Sequence, residues 1–120
     1  MATGNIVTHP GPPRGGEMWR VFDFSGRLTY GPTSEERYQE LRADIGRGAR
    51  HFVFDLSRVP DVDSAGIGFL VECLTTVRRA GGGLSLAAPS ERVIHSLLIT
   101  RLDGLFPVFE TVPAALGKAR

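Results

Sequence analysis

Apolar and polar positions along this chain switch between two periods. Residues 17–25 alternate, with Met18, Arg20, Phe22 and Phe24 on one face and Trp19, Val21 and Asp23 on the other. A period of two predicts a strand, here more buried on one side, and Ser25-Gly26 ends it. From Thr33 the spacing changes. Tyr38, Leu41 and Ile45 fall at i, i+3 and i+7, a narrow helical stripe that Gly46 and Gly48 stop. Thr33 with Glu36 fits a capping box, in which each side chain satisfies an orphan backbone donor. Residues 51–56 form a second strand, and their near-continuous apolar run predicts cover on both faces. A second helix opens near Ser64, carries Ile67, Leu70, Val71, Leu74 and Val77, and ends at Gly81-Gly82-Gly83. Residues 84–88 read as a third strand. Ser90 then caps a short helix bearing Val93, Ile94, Leu97 and Leu98. Val108-Phe109 makes a last short strand before a turn of helix over 113–119.

Strand, helix, strand, helix, strand in the second half is a βαβ pattern. Short loops and right-handed crossovers make those strands parallel. The N-terminal strand or strands are expected to add antiparallel. The fold class is therefore α/β, a small mixed β-sheet of about four to five strands with helices packed on it. Residues 1–16 read as a flexible arm or edge hairpin. Ile6-Val7 can make a short edge strand there, and Pro10-Gly11-Pro12-Pro13-Arg14-Gly15-Gly16 is a linker by composition. Residues 17–120 form the domain. The sheet is too small and its order too irregular for dinucleotide binding.

Composition narrows the function classes. A length of 120 residues fits one domain that buries roughly two thirds of its unfolded surface. The net charge of +1, from 14 basic and 13 acidic residues, gives no nucleic-acid footprint. No polybasic cluster is present to hold an anionic membrane. Cys73 has no partner for an internal disulfide and reads as a packed side chain within a helix. His9, His51 and His95 are scattered without metal-ligand spacing, so no metal or cofactor is expected. No apolar run approaches a membrane span and no signal-peptide pattern is visible, which makes the cytoplasm the expected compartment.

The chemistry-bearing residues gather where the strand over 51–56 gives way to the second helix. Asp55, Asp61, Asp63 and Ser64 lie at the carboxyl edge of the parallel strands, where ligands and partners meet an open sheet. An acidic phosphoryl-transfer site is one reading. Asp61-Val62-Asp63 superficially resembles the haloacid-dehalogenase nucleophile motif, and Asp55 the receiver-domain phosphoacceptor. Both chemistries need a lysine and further acids for a metal ion, and the one lysine is Lys118. A nucleophilic serine is a second reading, but Ser64-Ala65-Gly66-Ile67-Gly68 is not a Gly-x-Ser-x-Gly elbow. Gly66 and Gly68 are a weak phosphate-cradle signal; glycines there allow the helix start to approach a neighbouring strand closely. Ser64 as a helix cap or as another protein's phosphoacceptor remain, and the residues alone favour the cap.

From Phe52 onward the chain resembles the STAS domain family. The matching pieces are Val53-Phe54-Asp55-Leu56-Ser57, Val62-Asp63-Ser64-Ala65-Gly66-Ile67-Gly68, Arg79-Ala80-Gly81-Gly82, and the ending Ile99-Thr100-Arg101-Leu102-Asp103-Gly104-Leu105-Phe106. The lone, short domain is similar to bacterial anti-sigma factor antagonists. That resemblance implies a partner switch. An anti-sigma factor that is also a serine kinase binds the unphosphorylated antagonist, frees its sigma factor, and phosphorylates the antagonist to release it. A metal-dependent serine phosphatase resets the cycle. The implied acceptor is Ser64, the implied docking residues are Thr29, Asp61, Asp63, Ala65, Gly66 and Gly68, and Asp55 supports the loop. The chain itself would be no enzyme. One departure stands out: many relatives carry Gly-Glu-Leu-Asp after the first core strand, where this chain has Gly26-Arg27-Leu28-Thr29. Two alternatives accompany this reading: a STAS scaffold or accessory subunit of a transporter or signalling assembly without regulated phosphorylation, and a small acidic-site phosphatase.

Overall fold

The computed structural model describes residues 6–9 and 18–118. Five strands, β1 (Ile6–His9), β2 (Met18–Ser25), β3 (Ala49–Arg58), β4 (Gly83–Ala87) and β5 (Val108–Phe109), lie in the order β1-β2-β3-β4-β5. Four helices, α1 (Pro32–Gly46), α2 (Ser64–Arg79), α3 (Glu91–Ile99) and α4 (Val112–Lys118), connect and follow them. The sheet is mixed as expected, but the break falls elsewhere. Only β1 runs antiparallel to its neighbour, whereas β2 pairs parallel with β3. The reason is α1, which carries the chain back across the sheet between β2 and β3 in the way any parallel crossover requires. The linker proposed around residues 10–16 and the last predicted helical residue, 119, lie outside the described residues.

β2 also differs from its one-sided reading, since Trp19, Val21, Phe22 and Phe24 are all buried. The strand is second from the edge, with cover on both sides. Phe22, Phe24, Phe52, Phe54, Leu84 and Leu86 face α1, α2 and α3 and form the larger core. Trp19, Val21, Val53 and Ala87 face the other way, against Ala115, Val112 and Leu116 of α4. The larger core is organised by phenylalanine rings. Phe22 stacks on Phe54 at 5.5 Å, Phe24 tilts against Phe54 at 4.9 Å, and Phe69 of α2 closes the group with ring centres 6.0 Å from Phe24 and 6.4 Å from Phe54. Phe69 and Cys73 therefore belong to the buried stripe of α2, and Val71 sits at its margin. On α3, Val93 and Leu97 are buried while Ile94 and Leu98 remain exposed.

α1 starts differently from its sequence reading. Gly31 is the N-cap, Pro32 occupies the first turn, and the reciprocal bond is made by Ser34, whose hydroxyl accepts from the Gly31 N–H at 2.7 Å. Thr33 and Glu36 do not form the box. The end of α1 is tied to the sheet by charge. Arg20 Nε lies 3.4 Å from Asp44 Oδ2, and Arg47 Nη2 donates to Asp44 Oδ1 at 2.7 Å, with Arg20 and Asp44 both buried. α2 ends at Gly81, whose φ of 87° is the left-handed conformation of a helix stop. Gly82 then passes so close to β3 that a Cβ would stand 1.9 Å from the Arg50 carbonyl oxygen.

Replacing Phe69, which is 1% exposed, by alanine should cost about 3–5 kcal/mol by the rule for emptied aromatic core sites. Urea denaturation of the two chains measures this, and a loss below about 1 kcal/mol would contradict the ring cluster as the centre of the core.

Candidate functional site

At the carboxyl edge of the sheet two loops continue the pairing of β2 and β3. Leu28, in the β2–α1 loop, forms an isolated parallel bridge with Val62, in the β3–α2 loop. The Leu28 N–H donates to the Asp61 carbonyl at 3.0 Å, and the Asp63 N–H donates to the Leu28 carbonyl at 3.2 Å. Leu28 and Val62 are buried. Alternation then puts Arg27, Thr29, Asp61 and Asp63 together on the outer side. They pair in two rungs. Arg27 donates through Nε to Asp61 Oδ1 at 3.1 Å and through Nη2 to Oδ2 at 3.3 Å. The Thr29 hydroxyl donates to Asp63 Oδ2 at 2.6 Å. The two residues at which this chain departs from the Gly-Glu-Leu-Asp pattern are thus the two that hold its loop aspartates.

Asp63, not Ser64, caps α2. Its backbone is extended, its Oδ1 accepts the Gly66 N–H at 2.7 Å, and its carbonyl accepts the Ile67 N–H at 2.9 Å. Ser64 is the first helical residue, it is exposed, and its hydroxyl has no partner among the described residues. The sequence reading had one hydroxyl starting the helix. The carboxylate wins because it reaches the Gly66 N–H from the extended residue before the first turn, while Ser64 already has helical backbone.

The two glycines of this segment do different things. Gly66 is buried, and a Cβ there would stand 2.1 Å from the Leu28 carbonyl oxygen and 2.7 Å from Val62 Cγ2. Gly68 is exposed, and a Cβ on it would meet nothing within 4 Å. Close backbone approach therefore applies to Gly66 alone. Ala65 is exposed beside Ser64. Asp55 stands apart from the cluster: it follows Val53 on the α4 face of β3 and its Oδ1 accepts the Ser57 N–H at 3.0 Å.

The electrostatics follow from these contacts. The Arg27 guanidinium, first by hydrogen bonding, holds the Asp61 carboxyl below the usual carboxylate range, and Asp61 in turn raises Arg27. The Thr29 hydroxyl, then the Gly66 N–H, hold Asp63 low as well. Depressed carboxylates favour the fold at pH above their ordinary values, and that contribution fades as pH falls through the depressed values. Burial pushes the Cys73 thiol up, which fits an unreactive core cysteine. Among the described residues no group of three or more His, Cys, Asp or Glu is placed to hold a metal ion. None of the described helices is long and apolar enough to cross a membrane. Lys118 lies at the end of α4, the helix that packs on the sheet face away from α1, α2 and α3.

Ser90 caps α3 as the sequence reading expected, but its tie to the site loop, and other neighbours, escaped that reading. The Ser90 hydroxyl donates to the Pro60 carbonyl at 3.1 Å while accepting the Val93 N–H at 3.2 Å, so it fastens the start of α3 to the β3–α2 loop. Arg92 and His95 of α3 share with Arg27 and Asp61 a shallow cleft of about 420 Å³. Tyr30 is 54% exposed next to Thr29, with its hydroxyl held by Glu35. The position of Ser90 directly after a parallel strand was the available signal for the first of these.

The sequence pattern of the STAS domain matches residues 7–115, and the chain belongs to the STAS domain family. A protein of Thermotoga neapolitana, provisionally named an anti-sigma factor antagonist, is 35% identical over 76 residues, which cover 63% of this chain and 67% of that one. The fold is shared with SpoIIAA, a Bacillus anti-sigma factor antagonist. Its unphosphorylated structure gives a TM-score of 0.75 at 18% identity, covering 97% of this chain and 96% of that one. Its phosphorylated form gives 0.71 at 16%, covering 97% and 100%. A sulfate transporter family protein of Wolinella succinogenes has the same fold, with a TM-score of 0.69 at 20% identity and 84% of each chain covered.

The glycine pair gives a direct test of the loop geometry. Gly66→Ala should destabilise by about 1–3 kcal/mol through overpacking, whereas Gly68→Ala should stabilise by about 0.5–1 kcal/mol through helix propensity. Paired urea melts measure both, and equal effects from the two substitutions would contradict the contact with Leu28.

Proposed function

We propose that this protein is an anti-sigma factor antagonist that binds an anti-sigma serine kinase and is switched off by phosphorylation of Ser64. The observation that carries this reading is the exposed Ser64 hydroxyl, without a partner among the described residues, beside an aspartate that already caps the helix. The cap of α2 rests on Asp63, so modifying Ser64 disturbs no hydrogen bond among the described residues. In the transfer, the partner kinase holds ATP, the Ser64 oxygen bonds to the γ-phosphorus, the bond to the bridging oxygen of ADP breaks, and the hydroxyl proton passes to a base on the kinase.

The docking surface comprises Thr29, Asp61, Asp63, Ser64 and Ala65, with Gly66 setting the distance between the two loops and Gly68 leaving the next exposed turn of α2 smooth. A phosphate adds nearly two negative charges. The positive end of the α2 dipole accommodates them within the chain, so no change of fold is required. Where the partner places an acid or a dry surface opposite Ser64, the added charge lowers affinity about tenfold to hundredfold. A serine phosphatase then restores the binding form. On this reading the chain contributes no catalytic group, works in the cytoplasm, and touches neither nucleic acid nor membrane. The constitutive alternative is an accessory STAS subunit that binds without being modified.

The test uses a candidate anti-sigma serine kinase of the histidine-kinase-like ATPase fold, with ATP, followed by intact mass and by binding measurements. One phosphate should be added to the parent and none to Ser64→Ala. Ser64→Glu should bind about tenfold to hundredfold more weakly than the parent. Phosphorylation of Ser64→Ala to the parent's extent would overturn the assignment, and stable binding with no mass change would favour the accessory subunit.

A further inference from the structure

The proposed acceptor is exposed, yet the side chains around it are already committed to one another. Both Asp63 oxygens are taken, one by the Thr29 hydroxyl and one by the Gly66 N–H. Both Asp61 oxygens are taken by Arg27. Arg27 is different. It keeps its bidentate pair while its side chain is 59% exposed, and the pair uses only Nε and Nη2. A guanidinium carries five N–H donors in a fixed fork, so the pair with Asp61 leaves three of them outside it.

The charges facing this point come from three elements. The β2–α1 loop supplies Arg27, the β3–α2 loop supplies Asp61 and Asp63, and α3 supplies Glu91, His95 and Arg92, of which Arg92 acts on Asp61 from across the cleft. Arg27 is the cation whose field reaches both aspartates. The bridge between Leu28 and Val62 sets the scale, since paired strands stand about 4.8 Å apart and residues advance about 3.3 Å each along them. Moving from Asp61 toward Ser64 therefore asks the Arg27 head to swing by about three residue steps, about 10 Å along the chain direction, past the rung that Thr29 makes with Asp63.

We propose that Arg27 is an intramolecular ligand for phosphoserine 64, leaving Asp61 for the phosphate when the serine is modified. A phosphate offers a guanidinium twice the charge of a carboxylate and the same two-oxygen geometry. The exchange leaves Asp61 without its cation and draws the β2–α1 loop toward the start of α2. Phosphorylation is thereby read on two loops at once: the serine gains charge, and the neighbouring rung changes partner. The idea deepens the Ser64 switch and rests on it for relevance, but its test needs no kinase.

Phosphoserine is installed at position 64 during translation, in the parent chain and in Arg27→Gln, Asp61→Asn and Arg92→Gln, and the second ionisation of the phosphate is followed by phosphorus NMR. A guanidinium partner favours the dianion, so the parent should titrate about half a unit or more below Arg27→Gln. Asp61→Asn should titrate lower still, because the competing carboxylate is gone, and Arg92→Gln should match the parent. Circular dichroism checks that each chain is folded, and Asp61→Asn keeps the idea testable if Arg27→Gln is not. Equal titration in the parent and Arg27→Gln overturns it, as does an Asp61→Asn chain that titrates like the parent. Failure of a kinase to modify Ser64 would instead remove the proposed function and leave this measurement standing.

Discussion

The geometry of the carboxyl edge depends on how near α2 can start to the Leu28 carbonyl. That oxygen accepts the Asp63 N–H, and three residues later the chain returns alongside it at Gly66. A methyl group at position 66 would occupy the space the oxygen already fills. With hydrogen there, the helix begins directly against the β2–α1 loop, Leu28 and Val62 bury against each other, and their outward neighbours are forced into register. The pairs between Arg27 and Asp61 and between Thr29 and Asp63 are consequences of that register. So is the exposure of Ser64, which the first turn of the helix turns outward.

Within this frame, capping and exposure fall to adjacent residues. An aspartate in extended backbone satisfies a helix-start N–H with one oxygen and is steadied by a threonine through the other. The serine beside it makes no side-chain hydrogen bond among the described residues. Here the modification site and the cap are separate atoms on separate residues, so a phosphate on Ser64 leaves the cap of α2 in place. Ser90 strengthens the arrangement from α3 by holding the Pro60 carbonyl, so the loop before Ser64 is fixed from both sides.

Much of this was legible in the chain. The apolar run of β3 and the 3.6-residue stripes of α2 and α3 are strong local signals, and the elements lie where those signals place them within a residue or two at most ends. What local pattern could not decide was which of two neighbouring good caps would be used, because Asp63 and Ser64 are both suitable residue types. The start of α1 was misread for a similar reason: Gly31 has no side chain to announce itself as a cap. The direction of β2 depends on the helix that follows and not on its own alternation. Phe69 went unrecognised because the α2 stripe was counted through Ile67, Leu70, Val71, Leu74 and Val77, while the space above Phe24 and Phe54 takes a ring. The rungs of the site lie furthest beyond sequence reading. Arg27 and Asp61 are 34 residues apart, and only the parallel bridge brings them together.

The stacking of Trp19 on His51, with ring centres 4.6 Å apart, has an optical consequence. Trp19 is the chain's one tryptophan. It sits at the amino end of β2, on the sheet face covered by α4, while Ser64 follows the carboxyl end of β3, roughly 20 Å along the strands. Intrinsic fluorescence in this molecule is therefore a gauge of the α4 side. It will register the loosening of that helix or the melting of the whole domain, and it will be blind to events at the acceptor serine. Any emission change that accompanies partner binding would locate contact on a face that the Ser64 edge does not include.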